Sequence, residues 1–120
     1  MRFVSIAFVL IAAMGVAHAG DAKRGAAIFM RCAACHNADK DGGNGLGPNL
    51  FGVVGRKAAS KEGYSYSPAL KKSGIIWTNS ALKKWVSNPA KMVPGTRMTF
   101  AGLASPTDAA DIVVYLDTLR

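Results

Sequence analysis

CAACH, residues 32–36, holds both cysteines of the chain and sets a histidine directly behind the second. Three chemistries use cysteines this close together, and each needs a different setting. Zinc sites usually take four Cys/His ligands. Outside CAACH the chain has only His18, so a carboxylate would have to complete a zinc site. Thiol–disulfide exchange at C-x-x-C usually accompanies a βαβ pattern, and the sequence has none. A disulfide between Cys32 and Cys35 would close a tiny loop and tie down nothing distant. The third chemistry is the specific meaning of C-x-x-C-H, covalent attachment of haem.

The spacing suits that third chemistry. At positions i and i+3 of a helical turn the β-carbons stand ~5–6 Å apart. Two thiols so placed can reach the two vinyl groups along one haem edge and form thioethers. The next residue is rotated ~100° around the helix, which turns His36 over the ring plane as an iron ligand. Of the three chemistries haem attachment is favoured, and it implies a fold wrapped around a large flat cofactor.

Upstream, MRFVSIAFVLIAAMGVAHA has one charge, Arg2, then an apolar run over residues 3–16 and a small-residue ending at Ala17 and Ala19. This is the layout of a secretory signal peptide cleaved after Ala19. The alternative is an uncleaved anchor, but the run of 14 residues is short of the ~20 that span a bilayer. The domain organisation expected is therefore a leader over residues 1–19 and one small domain over residues 20–120. A domain of this size buries a modest core, so a bound cofactor would contribute much to its stability. The net charge of +8 falls to +7 without Arg2. Such an excess concerns partners rather than fold, and export makes nucleic acid the least suitable of them.

Downstream, the chain reads as short helices joined by Gly/Pro-rich loops, an all-α pattern of about four to five helices. Asp21 can cap a helix running to about Cys35, with Gly25, Phe29 and Cys32 on one face. Gly25 in mid-helix costs ~1 kcal/mol against alanine, which suggests a close helix crossing. Residues 37–57 contain six glycines and Pro48, a long loop of the kind that wraps something. Ser67-Pro68 starts a short helix that Gly74 stops. Thr78 or Asn79 caps a third helix, ended by Pro89, with Leu82, Trp85 and Val86 as its apolar stripe. NPAKMVPGTRMTFAG, residues 88–102, reads as a second loop with a type II turn at Pro94-Gly95. Ser105, Pro106 and Asp108 form a reciprocal capping signal ahead of a helix with Ala109, Ile112, Val113 and Leu116 on its apolar face.

For a second axial iron ligand the mature chain has no further histidine, leaving Met30, Met92 and Met98. Met30 stands on the attachment helix itself and cannot reach the other haem face. Met98 is favoured over Met92, because it follows the Pro94-Gly95 turn in a loop able to cross the far side. Either methionine could instead simply fill the core.

The separated motifs GDAKRGAAIFMRCAACH, GLGPNLFGVVGRKA, GYSYSPALKKSGIIW, NPAKMVPGTRMTFAG and ADIVVYL resemble, in order and spacing, those of class I cytochromes c. The resemblance covers nearly all of residues 20–120, and is to bacterial c2 and c550 types and to the mitochondrial protein. It implies one covalently bound haem c, with Cys32 and Cys35 carrying the thioethers and His36 and Met98 the axial ligands. Pro48 matches the carbonyl that accepts the ligand histidine's N–H. Arg56, Tyr66 and Trp77 match residues around the inner haem propionate, a group that is costly to bury without donors. Tyr64 and Thr96 match further donors, and Phe100 the aromatic at the haem edge. Two positions depart from the mitochondrial pattern: Trp85 stands where tyrosine is usual, and Leu70 where asparagine is usual.

The resemblance further implies a soluble, monomeric periplasmic electron carrier of a respiratory chain, not an enzyme, with no small-molecule substrate. Its donor would be a quinol-oxidising cytochrome complex and its acceptor a terminal oxidase, reductase or photosynthetic centre. Lys71, Lys72, Lys83, Lys84, Lys91 and Arg97 would meet acidic docking faces of these membrane complexes. The rival is a peroxidase or gas sensor with an open sixth position, which requires that Met98 not bind iron.

Overall fold

The computed structural model describes residues 20–120, together with residues 7, 9 and 10; the proposed leader otherwise lies outside the described residues. The described residues form helices joined by loops, with no strand and a single antiparallel bridge between Lys57 and Ile76. No helix among them is long and apolar enough to cross a membrane.

Helix α1, Ala22–Ile28, begins where the Asp21 carboxylate accepts the N–H groups of Lys23 and Arg24 at 2.9 and 3.1 Å. The sequence pattern predicts one helix to about Cys35, but the α-helix stops at Ile28 and passes into a 3₁₀ turn, Phe29–Arg31. Bonds of the tighter i→i+3 kind follow, from Cys32 N–H to Phe29 O at 2.7 Å and from Cys35 N–H to Cys32 O at 3.0 Å. Such bonds occupy the carbonyls that a helix end leaves without partners. CAACH therefore lies on a turn continuing from α1, not on the α-helix itself.

Helices α2, Pro68–Lys72, and α3, Asn79–Ser87, start on the predicted caps, Ser67 and Thr78. Beyond α3 the sequence pattern predicts a loop, whereas the structure has one more helical turn, α4, Pro89–Met92. Asn88 accepts the Lys91 N–H and Pro89 takes the first position, so Asn-Pro acts here as a start signal as well as a stop. The Pro94-Gly95 turn forms as expected, closed by Thr96 N–H to Val93 O at 3.1 Å, with Gly95 at φ +90°.

Helix α5, Pro106–Asp117, is capped by Ser105, whose hydroxyl accepts the Asp108 N–H at 3.3 Å. The expected return bond from Asp108 gives way to an ion pair: its carboxylate meets the Arg24 guanidinium of α1. Helix α1 crosses α5 at Gly25, where an added Cβ would lie 2.0 Å from the Asp111 carbonyl oxygen. Close backbone approach thus explains the mid-helix glycine. Phe29 packs beside the crossing on Tyr115, ring centroids 5.3 Å apart. The core runs from this crossing through Ile112, Val113 and Leu116 to Leu82, Trp85 and Val86 of α3. What the helices do not fill is a cavity between them and the loops.

Candidate cofactor site

The cavity measures about 420 Å³, within the range of small-molecule and cofactor pockets. Its wall is mostly apolar, with Leu50, Val53, Leu70, Leu82, Val86 and Leu116 among the lining residues. All eight candidate residues, Cys32, Cys35, His36, Pro48, Arg56, Tyr66, Trp77 and Met98, line it too, as do Tyr64, Thr96 and Phe100. Met30 is 72 % exposed and does not line the cavity, and neither does Met92 on α4.

The turn after α1 presents the first cluster. Cys32 and Cys35 are free thiols. Burial pushes the Cys32 thiol up, opposite to the depressed values of redox-active thiolates. Among the described residues no three His, Cys, Asp or Glu side chains come together as a metal cluster. His36 donates from Nδ1 to the Pro48 carbonyl at 2.7 Å, which leaves Nε2 as the lone-pair nitrogen. Burial lowers the His36 pKa, with the Pro48 bond opposing, so the neutral imidazole that binds metals is favoured. The ring lies flat against the chain at Gly47, where a Cβ would come within 2.4–2.8 Å of three ring atoms.

The loop bearing Pro48 is held by a residue inside GLGPNLFGVVGRKA to which the sequence reading assigns no role. Asn49 is 1 % exposed. Its side-chain amide donates to the carbonyls of Asp39 and Gly42, and its oxygen accepts the Phe51 N–H at 2.8 Å. One buried side chain thus ties both ends of the 39–42 turn to the segment after Pro48. The available signal is the Pro-Asn pair itself, in a loop with few other side chains able to satisfy backbone.

The polar cluster comes from two loops zipped side by side. Gly55 N–H bonds Trp77 O and Trp77 N–H bonds Arg56 O, each at 2.8 Å. Arg56 and Trp77 are neighbours because of this pairing, which no local pattern in the sequence predicts. The Arg56 guanidinium donates to the carbonyls of Asn49 and Phe51, using two of its five N–H groups. The Tyr66 oxygen accepts the Lys61 N–H at 3.1 Å. Burial pushes the Tyr66 phenol up, so it keeps its own proton to donate.

Met98 approaches on the loop after Pro94-Gly95. Its N–H bonds Thr96 Oγ1 at 3.2 Å, and the neighbouring Arg97 donates to Tyr66 O at 3.2 Å. Leu70 and Trp85 are both buried and line the same wall, with Trp85 tilted on Trp77 at a centroid distance of 5.2 Å. Leu70 presents no polar group to this wall, whereas Trp85 retains an indole N–H.

These residues fit a haem. Two free thiols stand one turn apart at the cavity wall, a neutral imidazole is oriented by its Pro48 bond, and Arg56, Tyr66 and Trp77 line the same cavity.

The family model described as cytochrome c matches residues 22–120. Cytochrome c of Gibberella zeae is 50 % identical over 98 residues, covering 81 % of this chain and 92 % of that protein. Cytochrome c2 of Rhodoblastus acidophilus is 44 % identical over 102 residues, covering 85 % of this chain and 95 % of that protein. The solved structure of cytochrome cH from Methylobacterium extorquens superposes with a TM-score of 0.78 at 49 % identity, covering 82 % of this chain and 99 % of the other.

Proposed function

We propose, because this chain belongs to the cytochrome c family, that it is a periplasmic carrier of single electrons with a His36/Met98-ligated haem. Members of this family are electron carriers with a covalently bound haem c. The observation that carries the proposal is the convergence of Cys32, Cys35, His36 and Met98, from two distant stretches of chain, on one apolar cavity.

The iron supplies a one-electron couple when haem is bound. Every other part of the work falls to the chain. Cys32 and Cys35 would hold the group covalently. His36, oriented by Pro48, would bind iron through Nε2, and Met98 would serve as the second protein ligand and keep substrates from the metal. A His/Met pair raises the potential. Arg56, Tyr66 and Trp77 would donate to a propionate, offsetting the cost of burying a carboxylate. The apolar wall of Leu70, Leu82, Trp85 and Val86 excludes water, so little solvent reorganises when charge changes.

An absorption spectrum of the purified protein in both oxidation states tests this reading. A low-spin c-type spectrum with a weak far-red band in the oxidised form is expected. A high-spin spectrum would support the open-site alternative, and absence of haem would end both.

Arg97 has a positioning role in this scheme, since its guanidinium ties the residue beside Met98 to the Ser65 and Tyr66 carbonyls. Arg97→Ala should lower the imidazole concentration that displaces the Met98 sulfur by about tenfold, the scale of one charge-assisted hydrogen bond of ~1.5 kcal/mol. Global stability should fall by a similar ~1.5 kcal/mol, because the unfolded chain lacks the same bond. An unchanged displacement curve would remove Arg97 from the role.

Partners are proposed from charge. Between Glu62 and Asp108 the chain carries six cations and no carboxylate. All six, Lys71, Lys72, Lys83, Lys84, Lys91 and Arg97, are exposed, and none makes an ion pair among the described residues. Met98 and the cavity-lining residues of α3 come from the same stretch of chain, which supports placing these cations around the Met98 side of the site. Acidic faces of membrane redox complexes fit it. Electron transfer to such a complex should slow about tenfold or more between ~10 mM and ~0.5 M salt, because screening removes steering. A rate that stays flat across this range would reject the docking scheme.

A further inference from the structure

The Pro48–Asn49 peptide group is bonded at both ends. Its carbonyl accepts from His36 Nδ1 at 2.7 Å, and its N–H donates to Asn44 Oδ1 at 2.9 Å. The other end of the Asn44 side chain, Nδ2, donates to Glu62 O at 3.1 Å. The partners dictate the orientation of this amide: an N–H needs an acceptor, and a carbonyl needs a donor. Asn44, the peptide plane and the imidazole therefore form one chain of hydrogen bonds ending on the nitrogen opposite the metal-binding one.

Hydrogen bonds in such a chain polarise one another. An acceptor on the N–H of a peptide pushes electron density toward its carbonyl oxygen, which then accepts more strongly. A stronger bond at Nδ1–H makes the imidazole a more basic ligand through Nε2. A more basic ligand favours the more positive iron. The sequence offers no hint of this, since Asn44 looks like any polar residue in a glycine-rich loop.

We propose that Asn44 is a positioning residue that sets the ligand strength of His36 through the Pro48–Asn49 peptide group. The proposal rests on His36 being the iron ligand. A carboxylate at position 44 keeps and strengthens the acceptor for Asn49 N–H. It loses the donor to Glu62 O, and alanine loses both. A role confined to tying the two loops together therefore moves both variants the same way, whereas polarisation moves them apart.

The test uses the haem-loaded full chain and its variants Asn44→Asp and Asn44→Ala, with two readouts. One is the proton resonance of His36 Nδ1–H in the reduced protein. The other is the oxidised-to-reduced ratio at a fixed ambient potential. In Asn44→Asp the resonance moves downfield and the ratio rises by roughly twofold or more, the scale of a 10–30 % change in one hydrogen bond. In Asn44→Ala both move in the opposite direction. The proposal is overturned if the two variants shift together, or if neither shifts. It is also overturned if Asn44→Asp changes the ratio while its resonance stays at the wild-type position, because the charge then acts through space. Should Asn44→Ala not fold, the downfield resonance required of Asn44→Asp still decides. A wild-type spectrum without histidine ligation would instead remove the ligand assignment and leave this bond pattern without a metal to act on.

Discussion

Gly25→Val is expected to separate the two terminal helices and cost more than ~3 kcal/mol of stability, at or beyond the upper end of overpacking losses. The reason lies in what the new side chain meets. A Cβ at position 25 would lie 2.0 Å from the Asp111 carbonyl oxygen, 2.7 Å from its carbonyl carbon and 2.7 Å from Tyr115 Cβ. Two of these three atoms are backbone in the middle of α5, so no rotamer change relieves the clash. The helices must move apart, and Phe29 then loses its contact with Tyr115. Gly25→Ala already places the offending atom, so most of the loss should appear there, with valine adding to it. Guanidinium unfolding of the haem-loaded protein measures both. A midpoint for Gly25→Ala close to that of wild type would contradict the crossing geometry.

Met98→Ala should turn the oxidised protein high-spin, abolish the far-red band and let added cyanide or imidazole bind freely. The potential should fall by on the order of 0.1–0.2 V, a fraction of the roughly 0.8 V range that axial ligands command. Met92→Ala provides the contrast. Met92 belongs to α4 and does not line the cavity, so its loss should leave the spectrum and potential as they are. If Met92→Ala removed the far-red band and Met98→Ala did not, the axial assignment would pass to Met92. If neither did, the band would not arise from Met92 or Met98, and the second ligand would have to come from elsewhere in the chain.

These two predictions draw on different levels of information. The candidate ligands are legible in the sequence because covalent haem attachment imposes a local spacing, two cysteines three apart with histidine next. The helix starts at Asp21, Ser67, Thr78 and Ser105 are legible for the same reason, since each cap satisfies backbone N–H groups two or three residues on. Where local rules mislead, longer-range partners intervene. Asp108 has the spacing of a reciprocal cap, but Arg24, 84 residues earlier in the chain, takes its carboxylate. Asn88-Pro89 has the composition of a stop, although the same two residues are equally good at starting a turn.

By itself the sequence determined the chemistry that residues close in the chain can perform: thioether attachment, the neighbouring histidine, the helix caps and an uninterrupted run of positive charge. Only the tertiary structure decided which distant groups share one environment. The Asp111 side chain has no exposed surface, because Arg24 and the Asp21 N–H meet it from the other end of the chain. Arg56 and Trp77 become neighbours through loop pairing, and Asn44 reaches His36 through a peptide that neither owns. Caps and covalent spacings are set by bonds a few residues long, so they are written locally. Burial of a charge and polarisation of a ligand depend on what the folded chain brings alongside.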